Sequence, residues 1–378
     1  MPATHQPRPT MRDVALRAGV SFKTVSRVVN DEGGVSDVLV ARVEQAIAAL
    51  GYRPDDRARH LRQTASRTGA IGFILVDVAN PFFSSILRGI EEVARTHDYL
   101  VLAGSTDGLR QREDQLVEAF VARRVDGLIV VPSGSGSGPL QAEVERGTPV
   151  VFLDLELDGL AVDLVRSDHR GGAMLATQHL LAHGHADIAF FGDDPTVFSA
   201  GLRLDGYREA MSRAGLAVEE RRVVHGRHTS DVWRRIIREY FIGTGLIGTG
   251  LVENGRLEIG RPTALFTAQN LITVGATQAL HDLELHETIA HIGFDDIELA
   301  DVVQPGISVV PQHPLDLGRR AAERLFARID GLAGPPCEQV IGTGVVERGS
   351  GEIPPPPLIT GRPAAPPRAD HVAQVPGE

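Results

Sequence analysis

The sequence predicts a small all-α helix-turn-helix head followed by an α/β body of two lobes, each a doubly wound parallel sheet. Three observations point there. Residues 1–54 carry helix caps and apolar residues at helical spacing. From Ala70 onward, short β-branched runs alternate with amphipathic stretches, the pattern of parallel sheets covered by helices. The 378 residues also exceed the roughly 100–200 of one ordinary domain.

Composition narrows the class. With 42% hydrophobic and 23% charged residues the chain is globular rather than disordered. Apolar runs such as Ile71–Val76 are far too short to cross a bilayer. Met1–Pro9 is polar and has no apolar core of a secretory signal, so a cytoplasmic protein without a membrane partner is expected. A single cysteine, Cys337, excludes an intramolecular disulfide and any cysteine-cluster metal site. No cofactor and no metal are expected. Charge is uneven: residues 1–67 carry 11 basic and 7 acidic residues, whereas the whole chain has a net charge of −11. A basic head on an acidic body suggests that the head alone meets a polyanion.

In the head, Thr10 and Asp13 fit a capping box before Val14, Ala15 and Ala18, and Gly19 breaks this first helix. Ser21 is a good N-cap for a second helix reaching about Asn30. Two helices joined by Ala-Gly-Val spell a helix-turn-helix. Val25, Val28 and Val29 give the second helix a narrow inner stripe, which places Phe22, Lys23, Ser26, Arg27 and Asn30 on the opposite face. Those side chains suit a major groove: cations for guanine, an amide for adenine, hydroxyls for phosphate. A third helix follows Ser36, with Val43, Ala46, Ile47 and Leu50 inward. Gly51 ends it, and Pro54 prevents its continuation.

The 21 positions from Thr10 to Asn30, TMRDVALRAGVSFKTVSRVVN, resemble the headpiece signature of the LacI/GalR family of bacterial transcription regulators. The resemblance continues through Gly51-Tyr-Arg-Pro54 and Ala58-Arg-His-Leu61. It implies that Phe22, Lys23 and Arg27 read bases, while Ser21, Thr24, Ser26, Asn30 and Tyr52 hold phosphates, with Thr10 and Arg59 in the same DNA-facing set. Residues 55–63 are similar to the family's hinge helix, in which Leu61 takes the position of a minor-groove wedge. Asp56 departs from the polar or basic residue of that hinge.

In the body, strands are expected at Ile71–Val76, Leu100–Ala103, Gly127–Val131 and Val150–Leu153, then at Ile188–Gly192, Arg222–His225, Ala264–Thr267 and Ile289–Phe294. Helices lie between them, at Ser84–Thr96 and Glu113–Arg123 among others. Two series imply two lobes with a ligand cleft at the carboxyl ends of the strands. The body, from about Gly69 to Gly349, resembles the family's periplasmic-binding-protein-like effector domain. That implies lobes exchanging chain near Ser167, Gln312 and Ile341: lobe one at 69–167 and 312–340, lobe two at 168–311 and 341–352, after a headpiece at 1–54 and a hinge and linker at 55–68.

Candidate pocket residues follow strand ends: Phe82 and Phe83 in Asn80-Pro-Phe-Phe83, Asp107, Asp154 and Asp295. Ser199 and Arg203 lie in a segment similar to the family's effector-binding stretch, and His228 where the family often carries an aromatic residue. Gln269-Asn270 departs from the family's Asn followed by Asp or Asn. Rings, carboxylates and one arginine suit a polyhydroxylated, sugar-like ligand. The implied function is a repressor acting as a homodimer on pseudo-palindromic double-stranded operator DNA at the nucleoid.

Other features point elsewhere. His179, His183 and His185 include a helical i, i+4 pair, but Gly184 makes this a helix terminus rather than a zinc site. The glycine-rich insertion 242–260 faintly resembles the phosphate loop of repressor-related sugar kinases. No phosphate-gripping lysine follows it, and Asn254-Gly255 spells a tight hairpin instead. Ile247–Gly255 matches Ile341–Gly349 at seven of nine positions. A sugar kinase using this insertion, or a sugar-binding protein without DNA function, is the alternative. The proline-rich tail, 353–378, is expected to be disordered and lacks a leucine heptad for tetramers.

Overall fold

The computed structural model describes residues 9–29, 32–52, 67–134, 138–155, 159–226, 229–243, 252–253, 256–257 and 261–356. The head is three helices, α1 (Met11–Ala18), α2 (Phe22–Val29) and α3 (Asp37–Leu50). The Thr10–Asp13 capping box forms in both directions, and the Ser21 hydroxyl accepts from the Thr24 amide at 3.1 Å. Gly19 closes α1 at φ 62°, and a Cβ there would also meet the Arg42 guanidinium at 2.8 Å. Only glycine satisfies both demands. The Arg42 guanidinium donates to the Ala18 carbonyl at 2.6 Å, so α3 completes the end of α1. Val14, Ala15, Ala18, Val25, Val43 and Ala46 form the core.

The body holds two parallel sheets. The first contains β1 (Ala70–Leu75), β2 (Leu100–Ser105), β3 (Leu128–Val130), β4 (Val150–Leu153), β5 (Asp163–Ser167) and β13 (Glu338–Ile341), in the order β13-β5-β4-β3-β1-β2. The second contains β6 (Ile188–Gly192), β7 (Val223–His225), β10 (Ala264–Thr267), β11 (Ala290–Phe294) and β12 (Ser308–Val310), in the order β12-β11-β10-β6-β7. Strands such as β4, β6, β10 and β11 are buried along their whole length, as parallel strands covered on both faces must be.

Helices α4 (Pro81–Thr96), α5 (Arg110–Ala122) and α6 (Gly138–Glu145) connect the strands of the first sheet. Helices α7 (His169–Ala182), α8 (Phe198–Arg213), α9 (Ser230–Gly243) and α10 (Asn270–Asp282) serve the second. After β12 the chain passes Gln312 and enters α11 (Pro314–Ile329), which packs on α4 over the first sheet. It then returns through β13 toward β12, where Val346 pairs with Val309. At the α4–α11 crossing the backbones touch. A Cβ on Gly89 would lie 2.2 Å from the Leu315 carbonyl oxygen, and one on Gly318 2.1 Å from that of Ile86.

Asp163, almost fully buried on β5, is gripped by Arg324 and Arg328 of α11, each at 2.7 Å, and by the Cys337 amide at 2.8 Å. Burial alone would raise its pKa, but the two guanidiniums hold the carboxyl far below the usual aspartate range. This clamp ties α11 to β5 and to the entry of β13.

Three expectations change. Strands β5 and β13 are polar enough to escape an apolar-run reading, and β12 is only three residues long. Arg222 belongs to a 3-10 turn (Glu220–Arg222), so β7 starts at Val223. The tail begins later than Ile353, because Ile353 packs against the second core and its carbonyl lies 2.7 Å from His185 Nε2. In the glycine-rich insertion β8 (Val252–Glu253) pairs antiparallel with β9 (Arg256–Leu257), while Asn254-Gly255 lies outside the described residues. Among the described residues no helix is long and apolar enough to cross a membrane.

Candidate functional site

A cleft of about 460 Å³ opens where the carboxyl ends of both sheets meet. Phe82 and Phe83 enter it from the first turn of α4, Ser199 and Arg203 from α8, and Gln269 from the N-cap of α10. Asp107, Asp154 and Asp295 enter from the strand ends of β2, β4 and β11. Sequence reasoning thus brings eight named residues to one cavity. His228 lies outside the described residues.

The three aspartates share a backbone feature. Asp107, Asp154 and Asp295 adopt φ of 52°, 65° and 74°. Aspartate tolerates this left-handed region better than most residues, and such conformations persist where the surrounding structure enforces them. Asp154 and Asp295 turn the chain out of the buried strands β4 and β11, Asp107 out of the edge strand β2, and all three line the cleft.

A buried relay runs between the two sheets. The Arg203 guanidinium donates to His169 Nδ1 at 3.3 Å and to the Ala268 carbonyl at 2.7 Å, and lies 4.2 Å from the centroid of Phe294. On its other side the ring places Nε2 2.9 Å from Asp154 Oδ1. Burial opposes the charge on Asp154, but His169 and Arg203 pull its pKa below the ordinary value. Asp295 goes the other way: burial raises its pKa, against the pull of Arg203 and of its bond from Gln312. Its second oxygen accepts from the Asn270 amide at 3.2 Å. Across the cleft Asn80 of the α4 N-cap and Asn270 of α10 exchange amide hydrogen bonds of 2.7 and 3.4 Å.

His169, Asn80 and Gln312 were not among the candidates. Asn80 stood in the quoted segment before the aromatic pair, and Gln312 at an expected crossover, so position alone pointed to both. A lone histidine after Ser-Asp carries no comparable signal.

The head presents a second candidate surface. Phe22 is half exposed, Lys23 is exposed, and Arg27 is partly exposed. Ser21 and Thr24 hydroxyls lie 2.9 Å apart at the start of α2, and Thr10 remains exposed beside Asp13. One placement is corrected: Ser26 is buried rather than exposed beside Phe22 and Lys23. Tyr52 packs in the head's core. Asn30, Asp56, Arg59 and Leu61 lie outside the described residues. The three histidines near Gly184 are held structurally: His179 by Glu352, His183 by the His179 carbonyl, and His185 by Thr263 and Ile353.

Comparison with known proteins assigns these parts. Residues 10–55 match the model of bacterial regulatory proteins of the lacI family. Residues 68–244 match periplasmic binding proteins and the sugar-binding domain of the LacI family, and 177–351 a periplasmic binding protein-like domain. The ribose operon repressor of Escherichia coli K12 is 35% identical over 329 residues, covering 85% of this chain and 93% of that protein. The chain belongs to the LacI family.

The HTH-type transcriptional repressor CytR of the same organism is 29% identical, covering 90% of this chain and 96% of the relative. Among solved structures, the Lac repressor dimer bound to operator and the anti-inducer ONPF superposes with a TM-score of 0.75. It is 26% identical and covers 91% of this chain and 99% of that one. This LacI-family chain is accordingly a DNA-binding transcription regulator with an effector-binding body, not an enzyme. A regulator of this kind works in the cytoplasm, where the chromosome is.

Proposed function

We propose that the chain is a nucleoid-associated repressor. In this reading it binds pseudo-palindromic operator DNA as a homodimer through residues 1–54 and the 55–68 hinge. A sugar-like polyhydroxylated effector binds between the lobes and sets operator affinity. The lobes comprise 69–167 with 312–340, and 168–311 with 341–352. Phe22, Lys23 and Arg27 read bases, Ser21 and Thr24 hold phosphates with Thr10 nearby, and Arg59 and Leu61 act at the hinge. Phe82, Phe83, Asp107, Asp154, Ser199, Arg203, Gln269 and Asp295 contact the effector, with His228 beside them.

One observation carries the reading: Asp154, at a strand end of the first sheet, meets Arg203 of the second lobe through His169. A ligand that bonds to both sides favours one lobe arrangement over the other, and differential affinity is what shifts a two-state equilibrium. The names of the relatives support the repressor, operator and sugar parts of the proposal.

The test compares the full chain with a chain lacking residues 1–63 on its own promoter DNA. The full chain should shift the DNA, with an affinity that falls steeply with salt as counterions are released. The truncated chain should lose that shift and keep its effector binding. A truncated chain that still shifts the operator would overturn the headpiece assignment.

A further inference from the structure

We propose that Glu113, which does not itself line the cleft, is a positioning residue for the effector: its carboxyl fixes the loop after β3 and, through it, the loop after β2. The proposal rests on the reading of the cleft as the effector site and deepens it by one residue behind the wall.

Topology creates the need. Asp107 and Gly108 line the cleft from the loop after β2, and Val131, Pro132 and Ser133 from the loop after β3. These two strands are not neighbours, because β1 lies between them and pairs with both. Backbone bonds therefore tie each loop to the end of β1. The Thr106 and Asp107 amides donate to the Leu75 and Val76 carbonyls, and the Val131 amide to that of Ile74. Pro132 follows with no N–H to give, so the next backbone donor of the β3 loop is the Ser133 amide.

Side chains join the two loops from that point. The Ser133 amide donates to Glu113 Oε2 at 2.6 Å, and the Ser133 hydroxyl donates to that of Thr106 at 2.8 Å. Thr106 in turn accepts from the Gly108 amide at 3.1 Å, within the turn where Asp107 holds φ 52°. The chain of Glu113, Ser133, Thr106 and Gly108 thus sets the spacing of two loops that no strand pairing links. Glu113 and Thr106 are fully buried. Groups that line a binding site keep their geometry when hydrogen bonds behind them lock their place.

A carboxyl is favoured here by its element. Glu113 lies in the first turn of α5, whose N-cap Leu109 provides no side-chain bond, and negative charge is stabilised at a helix N-terminus. Burial pushes its pKa above the usual glutamate range, against the bond from Ser133 and the charge of Arg110.

The experiment titrates D-ribose, D-glucose and D-fructose into the full chain by calorimetry and carries the tightest binder into three variants. Glu113→Met removes the acceptor at similar length and should weaken that sugar by about tenfold or more. Thr106→Val cuts the link between the loops, leaves Glu113 in place, and should weaken it by about threefold or more. Glu113→Gln keeps an oxygen for the Ser133 amide and should bind within about threefold of the parent. Its new N–H groups fall where Glu113 Oε1 has no partner, so its midpoint in urea should drop all the same. Sugar affinity that follows the acceptor, and not the stability, marks positioning. A smaller loss in Glu113→Met, or in Thr106→Val should Glu113→Met not fold, would overturn the role of Glu113 and leave the sugar reading standing. A Glu113→Gln variant that loses as much affinity as Glu113→Met would assign the loss to stability and overturn it too. If none of the three sugars binds the parent, the sugar reading fails and this inference fails with it.

Discussion

Arg203 makes its bonds to His169 and Ala268 without any ligand, so its removal acts in two separable ways. Losing these buried charge-assisted bonds should cost about 2–3 kcal/mol of stability, read by urea denaturation. Losing the one cation that lines the cleft among the described residues should abolish the effector response. Arg203→Ala should therefore bind operator like the parent when effector is absent, and keep that affinity when effector is added. Altered operator affinity without effector would instead make Arg203 a strut between the lobes. This residue was readable because it stands in a matched motif, and the aspartates because a carboxylate just beyond a β-branched run in an α/β chain falls at the cleft. His169 was not readable: its role depends on Asp154 and Arg203 meeting it from distant parts of the chain, which no local spacing encodes.

Strands with an apolar run were placed to within a residue or two, and β4, β6 and β10 to the residue. The strands that were missed, β5, β12 and β13, are the ones beside the passages between lobes. There β5 carries Asp163 and Arg166 and β13 carries Glu338 and Gln339, so pairing in the sheet, not hydrophobicity, makes them strands. The α4–α11 contact was equally hidden, since nothing local marks Gly89 and Gly318 as partners. Both helices start at or next to the cleft, with Asn80 capping one and Gln312 two residues ahead of the other. Gly318→Ala would drive a methyl group onto the Ile86 carbonyl, where only backbone movement makes room. It should cost about 1–3 kcal/mol in chemical denaturation, the range for overpacking a close contact. Unchanged stability would mean that the helices part freely at this point. The same change at Gly331, where a Cβ meets nothing, would test only its positive φ and not the crossing.

Over the whole molecule, the question is how a cleft at the sheet ends reaches a linker that leaves from the start of β1. Helix α11 spans that distance in a single rigid element. Ahead of its first turn Gln312 donates to Asp295 in the cleft. At its far end Asp330 and the Ile329 carbonyl hold Arg67, the first described residue after the linker, at 2.9 and 2.5 Å. Asp126 meanwhile fixes the Thr68 and Gly69 amides on the β1 side. A change in lobe angle that is passed from Gln312 along α11 reaches the Arg67 anchor and the clamp of Arg324 and Arg328 on Asp163. The clamp is buried, whereas the Arg67 pair is half exposed and weaker, so the anchor gives way first. Coupling between the sites is a reciprocal free energy, which allows a clean test. Arg67→Ala should leave operator affinity without effector, and effector affinity without operator, within about twofold of the parent. The factor by which each ligand alters the affinity for the other should fall, by about fivefold or more if this anchor carries 1 kcal/mol of coupling. Anisotropy on labelled operator measures one direction and calorimetry with effector the other, and the two factors must agree. An unchanged coupling factor in Arg67→Ala would rule out the far end of α11 as the place where the cleft reaches the headpiece.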